Sequence, residues 1–447
     1  MPASILKLRN DLRKTEKNKP KGEARVNPRR PVILMLVLGA VCVAVLAFVP
    51  HSLTLAKRAG ARLADAAVTA FAPASDPTFE AEINKPPEPA FDVATWYGAR
   101  GEEPERHGVL IESYDGQHVF ATHNADTTFN PASLVKLTTT LVALQRLGKD
   151  YRFETRVVVD GQIDQKKTLH GDLCLDGNDP SFGDTSAVQV ARELKARGIE
   201  RVQGKILVTP SFSFNLSEKP EDSAKYVAQV LQLKQTGTGA VENAHGRQLF
   251  VMRSYPLRDI LLYMNAHSVN FIAHRIGDQL GGADGVARAI SDGLKLPPDQ
   301  VQLETTSGLY NNRMSPRGLV AVIHALIEET ARQGLKLEDV LPVASCDAGT
   351  LKRRMEGTGF EGAVVGKTGT LTQQDGGMSN LGGLVYTKDD GMILFVILAQ
   401  GQRIWDNKQM ADQLLAEVLH EHPAACVFQP GEMRRQLLPP ADLQIGD

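Results

Sequence analysis

The stretch NPASLVK at residues 130–136 organises the rest of the chain, because it predicts a helix with a serine and a lysine in its first turn. Asn130 is a typical N-cap, and proline suits the first helical position, where its missing N–H costs nothing. Apolar residues then recur at helical spacing until Gly148, which supplies a stop. We therefore expect Ser133 and Lys136 to be neighbours on one helical face.

A serine and a lysine in this arrangement can act as a nucleophile and its base without a histidine. The positive end of the helix dipole disfavours an ammonium and favours an alkoxide, so a neutral Lys136 can take the proton of Ser133. The same spacing also arises by chance, as it does between Ser4 and Lys7. The alternative is a capped surface helix, and further motifs are needed to decide between the two.

Length and charge limit the function classes. A chain of 447 residues predicts two compact units with appendages, and 42% hydrophobic residues is ordinary globular usage. The net charge of −2 hides an asymmetry, since residues 1–30 hold ten Lys/Arg against three Asp/Glu, which leaves 40 basic and 49 acidic residues in the remainder. An acidic body does not indicate a nucleic-acid partner.

The basic N-terminal segment precedes a stretch that is suited to a membrane. Residues 31–56 contain no Asp, Glu, Lys or Arg. About 18–20 apolar helical residues span a bilayer, so we predict a basic cytoplasmic leader at 1–30 and a single transmembrane signal anchor at 31–50. Positive charge before the span places the N-terminus inside and residues 57–447 outside the cytoplasm, in the periplasm or its equivalent. A cleaved signal peptide is the alternative, which the long leader disfavours.

The four cysteines leave their pairing open. Cys42 lies in the predicted anchor, and Cys174, Cys346 and Cys426 are far apart at no metal-ligand spacing. An odd three cannot all pair with each other, so one disulfide or buried free thiols remain as alternatives.

The order of predicted elements indicates an α+β fold, an α/β/α sandwich. Two strands precede the Ser133 helix and three lie near the end of the chain, and we expect all five in one antiparallel sheet beside an all-helical lobe. The predicted organisation, after the anchor, is an extracytoplasmic linker at 51–105, a catalytic domain at 106–150 and 247–425, a small inserted α+β domain at 151–246 and a loose tail at 426–447.

A second motif, KTGT at residues 367–370, lies on the first of the three late strands. A glycine inside an apolar strand weakens it unless another backbone approaches closely. A substrate that lies alongside as an added strand is such a backbone, and Lys367 can supply a cation for its terminal carboxylate. The alternative is a surface lysine before a bulge.

A third motif, Ser268-Val269-Asn270, interrupts a predicted helical run. Residues two apart on a helix face different directions, so the helix must break there if Ser268 and Asn270 serve one pocket. A competing match at residues 213–215 lies in predicted loop without a flanking helix, which disfavours it.

Ser-x-x-Lys, Ser-x-Asn and Lys-Thr-Gly in this order are typical of penicillin-recognising serine enzymes. Over about residues 107–425 the chain resembles one branch of them, the low-molecular-mass class C penicillin-binding proteins, which are D-Ala-D-Ala carboxypeptidases and endopeptidases. The matching stretches are NPAS (130–133), GDL (171–173) with Asp179-Pro180, PLRDI (256–260) with Met264-Asn265, GTL (349–351) with Arg354-Met355, and GKTGTL (366–371).

The resemblance implies a β-lactamase/transpeptidase-like fold and a serine DD-peptidase that acts on peptidoglycan stem peptides and is acylated by β-lactams. Ser133 would attack the carbonyl of the D-Ala–D-X bond with Lys136 as general base. Ser268 would pass the proton to the leaving amine, while Asn270 holds the Ser133–Lys136 side and the bound amide. The resemblance implies no metal or cofactor.

In the resemblance, substrate binding falls to the Lys-Thr-Gly motif. Lys367 and Thr368 would receive the substrate carboxylate, and Gly369 would lie beside the bound backbone. The backbone N–H groups of Ser133 and Thr370 resemble the oxyanion hole of the family.

Three features depart from the family pattern. The interval from Ser133 to Ser268 is 135 residues, shorter than two inserted domains require. The stretch TTSGL at 305–309 stands where Asp-Gly-Ser-Gly-Leu is usual, and Val269 stands where Asp or Asn is common.

Two other functions remain as alternatives. A β-lactamase on the same fold needs a deacylating glutamate followed shortly by Leu-Asn, whereas Glu304 is followed by Thr305-Thr306-Ser307. A catalytically silent cell-wall binding or scaffolding protein would not be expected to keep all three motifs. The sequence does not separate carboxypeptidase from endopeptidase activity.

Overall fold

A computed structural model of the chain describes residues 90–427, 438 and 443–446. The predicted leader, the predicted anchor and most of the predicted linker lie outside the described residues. Within the part that the structure describes, no helix is long and apolar enough to cross a membrane.

In the described residues, the α-helices are α1 (Val93–Gly98), α2 (Val135–Leu147), α3 (Asp184–Ala196), α4 (Pro220–Leu231), α5 (Leu257–His267), α6 (Asn270–Gln279), α7 (Gly282–Leu294), α8 (Pro316–Arg332) and α9 (Ile404–Val418). The strands are β1 (His107–Ser113), β2 (Val119–His123), β3 (Glu154–Ile163), β4 (Thr168–Gly177), β5 (Arg201–Val202), β6 (Lys205–Val208), β7 (Gly237–Ala240), β8 (Arg247–Arg253), β9 (Val301–Gln302), β10 (Arg313–Met314), β11 (Val364–Leu371), β12 (Met378–Tyr386), β13 (Met392–Gln400) and β14 (Gln444–Gly446).

The central sheet has five antiparallel strands in the order β11-β12-β13-β1-β2. Two strands from the start of the domain thus join three from its end, and the predicted five-stranded antiparallel sheet is confirmed. β1 pairs with β13, from His107 opposite Ala399 to Ser113 opposite Ile393. This pairing joins the two early strands to the three late strands. The order leaves β11, which carries Lys367, at one edge.

Both faces of this sheet are covered by helices, which makes the fold a three-layer sandwich. Side chains of a strand alternate between faces, so Val396 and Leu398 of β13 pack in one apolar cluster with α2 and α8. Phe395 and Ile397 pack in a second cluster with α1 and α9. Burial on both faces explains why β13 is apolar almost throughout.

The helices α5, α6 and α7 share the first of these clusters with α2 and α8. The predicted helical lobe is therefore continuous with one face of the sheet. Sequence signals mark the start of α8, where Pro316 follows Ser315 and the Ser315 side chain accepts the N–H of Gly318.

The inserted segment forms a second, mixed sheet in the order β14-β8-β3-β4-β6-β7, with β5 beside β4. The helices α3 and α4 pack on it through a third apolar cluster. This sheet uses β8, so it extends past the predicted boundary at residue 246.

Two terminal segments differ from the prediction. Gln444–Gly446, in the predicted loose tail, pairs with β8 as a strand. The helix α1, in the predicted linker, buries Trp96 and Tyr97 against the central sheet, so the linker ends before residue 105.

Cys174 and Cys426 carry free thiols.

Candidate active site

Ser133 lies in a turn that precedes a helix, which corrects the predicted helix start. Ala132–Leu134 form a single 3-10 turn, and α2 begins only at Val135. The reason is Ala132, whose φ of 49° is outside the helical region and is a costly conformation for alanine. The side-chain oxygen of Asn130 accepts the N–H of Ala132 at 3.0 Å, so Asn130 caps this turn.

Polar contacts of Asn130 hold the turn to three residues outside it, Tyr310, Asp375 and Asn380. Its amide nitrogen donates to the carbonyl of Tyr310 at 2.7 Å and to a carboxylate oxygen of Asp375 at 2.8 Å. Its carbonyl accepts the side-chain amide of Asn380, on β12, at 2.9 Å. These contacts hold the strained turn in one conformation and so fix the position of Ser133.

Glycines allow the backbone to pack against this turn. A Cβ built on Gly369 would lie 2.6 Å from the carbonyl oxygen of Pro131 and 3.2 Å from the Cβ of Ala132. A Cβ on Gly308 would lie 1.9 Å from the carbonyl oxygen of Ala132. The close neighbour of Gly369 is therefore the Ser133 turn of the same chain, whereas the sequence argument invoked only a substrate backbone.

Lys136 is fully buried and its amine has three oxygen neighbours. Its Nζ lies 3.1 Å from Ser133 Oγ, donates to the side-chain oxygen of Asn270 at 2.8 Å and donates to the carbonyl of Ser307 at 2.6 Å. The last two oxygens are acceptors only. In a neutral amine they take both Nζ hydrogens, which leaves the lone pair for the hydroxyl proton of Ser133.

Burial favours the neutral form of this amine. Removal from water disfavours the charged form and lowers the pKa of Lys136 to about 7. A large part of the lysine is therefore neutral near neutral pH.

The helical break predicted at Ser268-Val269-Asn270 is present. Ser268 has φ of 54° and ends α5, Val269 is extended, and Asn270 begins α6. This break brings Ser268 and Asn270 into one cleft, with Asn270 on Lys136 and Ser268 on Lys367.

Lys367 is also fully buried, on the edge strand β11. Its Nζ donates to Ser268 Oγ at 3.0 Å and to the carbonyl of Thr368 at 2.7 Å. Burial, and then the charge of Lys136, hold the pKa of Lys367 well below its usual range. A bound carboxylate favours the ammonium, so we expect the binding of an anion to raise this pKa.

The remaining predicted residues lie beside the cleft. Thr368 donates through its hydroxyl to Thr350 Oγ1 at 2.8 Å. Thr370 is half-buried and pairs with Ser379 near the end of β11, directly after the glycine that contacts the Ser133 turn. The competing match is in the core of the insert, where Ser213 and Phe214 are buried.

The sequence argument missed His274 and Ser307. His274 Nε2 lies 2.7 Å from Ser307 Oγ, and the carbonyl of Ser307 accepts Lys136 Nζ. Burial, and then the charge of Lys136, lower the pKa of His274. One signal was available, because position 274 is one helical turn after Asn270 and shares its face.

The fold and this cleft are those of the penicillin-recognising class of serine hydrolases. A family model described as the D-Ala-D-Ala carboxypeptidase 3 (S13) family matches residues 99–229 and 212–420, and the chain belongs to this family of serine carboxypeptidases.

Solved structures share the fold. The predatory peptidoglycan endopeptidase Bd3459 of Bdellovibrio bacteriovorus is 21% identical, with 74% of this chain and 96% of that chain covered and a TM-score of 0.61. Bd0816 of the same organism, in complex with immunity protein Bd3460, is 20% identical over 75% and 99%, with a TM-score of 0.63. Penicillin-binding protein 4 of Haemophilus influenzae is 18% identical over 69% and 96%, with a TM-score of 0.55.

Proposed function

We propose that this chain cleaves the D-Ala–D-X bond of peptidoglycan stem peptides through an acyl-enzyme on Ser133, and that β-lactams acylate the same serine. The observation that carries the proposal is the setting of Lys136. Its amine is buried, lies 3.1 Å from Ser133 Oγ, and has acceptor-only oxygens on its other sides. A lysine in this setting can accept a proton from one hydroxyl, that of Ser133.

In the acylation step, Ser133 Oγ bonds to the substrate carbonyl carbon while its proton moves to Lys136 Nζ. The backbone N–H groups of Ser133 and Thr370 stabilise the oxyanion. The carbon–nitrogen bond then breaks, and Ser268 relays the proton taken up by Lys136 to the leaving amine, so that Lys136 and Ser268 return to their starting protonation states and a free D-amino acid leaves. Asn270 keeps the lysine and the bound amide in place.

Lys367 and Thr368 receive the α-carboxylate of the leaving residue. Lys367 reaches Ser268 Oγ at 3.0 Å, so the binding cation and the proton relay are directly linked. A bound α-carboxylate favours the charged ammonium form of Lys367, which burial alone disfavours.

Water then attacks the ester carbon while its proton moves to the neutral Lys136, and Lys136 returns that proton to Ser133 Oγ as the ester bond breaks. Penicilloyl esters should persist, because their leaving group stays attached and blocks water. The β-lactamase alternative needs a deacylating glutamate, and its candidate, Glu304, is exposed with a carboxylate that accepts the N–H of Asn311. Relatives support acylation, because solved structures hold Bd3459 acylated by penicillin G and the Haemophilus influenzae protein complexed with a β-lactam.

The test is the intact mass of the protein after incubation with benzylpenicillin, followed by peptide mapping. We expect one persistent label on the peptide that holds Ser133 and none on Ser133→Ala. Label elsewhere, or none on folded wild-type protein, contradicts the mechanism. Rapid turnover with accumulating penicilloate would favour the β-lactamase, and digestion of purified muropeptides identifies the peptide bond that is cut.

We also propose that residues 31–50 anchor the chain in the cytoplasmic membrane, with the catalytic domain outside. The support is the uncharged run at 31–56 after a leader of ten basic and three acidic residues. Alkaline phosphatase joined after residue 100 should be active in cells. An inactive fusion, or a mature N-terminus found near Arg62, contradicts the anchor.

A further inference from the structure

A groove of about 540 Å³ opens beside β11, at the part of the cleft lined by Thr368 and Thr370. One wall is the segment 349–354, and the other is the first turns of α9, from Trp405 to Asp412. Thr368 belongs to both the groove and the cleft, and its hydroxyl donates to Thr350 Oγ1 at 2.8 Å. The groove therefore begins where the α-carboxylate of a leaving residue is received.

The ionic lining of the groove is mainly positive. Arg354 donates through Nε and an Nη to the carboxylate of Asp412, and the two charges compensate each other. The other ionic lining residues are Lys352, Arg353 and Lys408. Among the described residues, none of these three forms an ion pair. Three uncompensated cations on a chain of net charge −2 are a local excess.

Trp405 stands at the mouth of the groove. It is 77% exposed, more than any other large hydrophobic side chain in the described part of the chain. Lys408 Nζ lies 4.6 Å from the centre of its ring, which holds this ammonium at the groove by a cation–π contact. An exposed aromatic side chain beside unpaired cations is typical of a binding surface.

We propose that this groove is a cationic subsite for the leaving side of the substrate, where it binds carboxylates carried by the residue beyond the scissile bond. The inference rests on the proposed function, in which Lys367 and Thr368 bind the α-carboxylate of that residue. A terminal D-Ala places only a methyl group past this point. An acidic side chain, or a second peptide attached there, reaches Lys352, Arg353 and Lys408.

The test uses three synthetic stem peptides that differ only in the last residue, which is D-Ala, D-Glu or D-Lys. For the full-length wild-type chain we expect kcat/KM to fall in the order D-Glu, D-Ala, D-Lys. Exposed ion pairs are each worth about two- to fivefold, so D-Glu and D-Lys should differ by about tenfold or more. The double variant Lys352→Glu/Arg353→Glu should invert the order.

The matched control is Lys166→Glu/Lys388→Glu, which makes the same change of net charge at exposed lysines outside the groove. It should keep the wild-type order. An unchanged order in the groove variant, or an inverted order in the control, overturns the subsite.

A binding measurement separates failure of the subsite from failure of the proposed function. If wild type cleaves none of the three peptides, the proposed function is wrong, and the subsite is judged on Ser133→Ala by tryptophan emission. The chain has two tryptophans and Trp96 is buried, so Trp405 reports on the groove. The D-Glu peptide should change the emission, and Trp405→Phe or the groove charge reversal should abolish the change. No change in emission overturns the subsite.

Discussion

The cleft and the neighbouring groove both contain lysines, but in opposite surroundings. Lys136 and Lys367 are fully buried, and their amines contact hydroxyl, amide and carbonyl oxygens. Lys352 and Arg353 are exposed, and Lys408 is half-buried. Burial lowers the pKa of Lys136 and Lys367, and partial burial, followed by the charge of Arg354, also lowers the pKa of Lys408. The exposed charges of Lys352 and Arg353 are screened by water and salt. We therefore propose chemistry for the lysines of the cleft and recognition for the cations of the groove.

The largest effect is expected from replacement of the buried Lys136, the proposed base. Lys136→Arg keeps the charge but cannot act as a base near neutral pH, so acylation by benzylpenicillin should fall at least about a thousandfold. In wild type the acylation rate should rise with pH through about 7, because the base form appears as Lys136 loses its proton. Stopped-flow or mass-detected acylation between pH 5 and 9 measures both effects. A near-normal rate for Lys136→Arg would show that another group is the base.

The next largest effect concerns the backbone contact that positions Ser133. Gly369→Ala places a methyl group about 2.6 Å from the Pro131 carbonyl oxygen, which must displace the turn or the strand. A misplacement of about 1 Å can cost about a hundredfold in rate, so we expect a loss of that order in acylation with the pH midpoint unchanged. Gly239→Ala is the control, since its Cβ meets only Leu207 Cδ2 at 3.7 Å. Equal rates for the two variants would contradict the positioning argument.

The parts of the site that the sequence predicted are local. The spacing of Ser133 and Lys136, the break at Ser268, and Lys367 on a strand each follow from neighbouring residues. The five-stranded sheet was also predictable, because each of its strands is an apolar run that ends at turn residues. By contrast, alanine disfavours the φ of 49° found at Ala132, and only tertiary contacts impose it.

The features that escaped prediction arise from distant segments. One of the two oxygens that accept from Lys136 is the backbone carbonyl of Ser307, and a carbonyl has no signature in sequence. The groove joins segment 349–354 to α9, which are separated by the last three strands of the sheet. The strand β14 is three residues long and pairs with β8, far away in the chain. Such contacts depend on packing that no local pattern encodes.

A smaller effect tests whether the buried lysine needs support from His274. We expect His274→Ala to loosen Ser307 and lower kcat about tenfold with KM unchanged, equivalent to about 1.4 kcal/mol and within the range for one hydrogen bond. His274→Gln keeps a donor and should restore most of the activity. His170→Ala, at an exposed histidine of the insert, is the control. A raised KM, or no rescue by glutamine, would assign His274 a different role.

The smallest expected effect is a difference in salt dependence between the groove cations and the buried Lys136. The Debye length falls from about 14 Å at 0.05 M to about 4 Å at 0.5 M ionic strength, so exposed charges lose most of their influence. The preference for a D-Glu over a D-Ala leaving residue should therefore shrink by about two- to threefold over this range. The pH midpoint of acylation should stay near 7, because Lys136 is buried and screened little. Kinetics with both peptides in NaCl, repeated in an isosmotic neutral solute as the control, measure the contrast. A preference that resists salt would mean that the groove cations act from a buried position, and a midpoint that moves with salt would mean that Lys136 is reached by solvent.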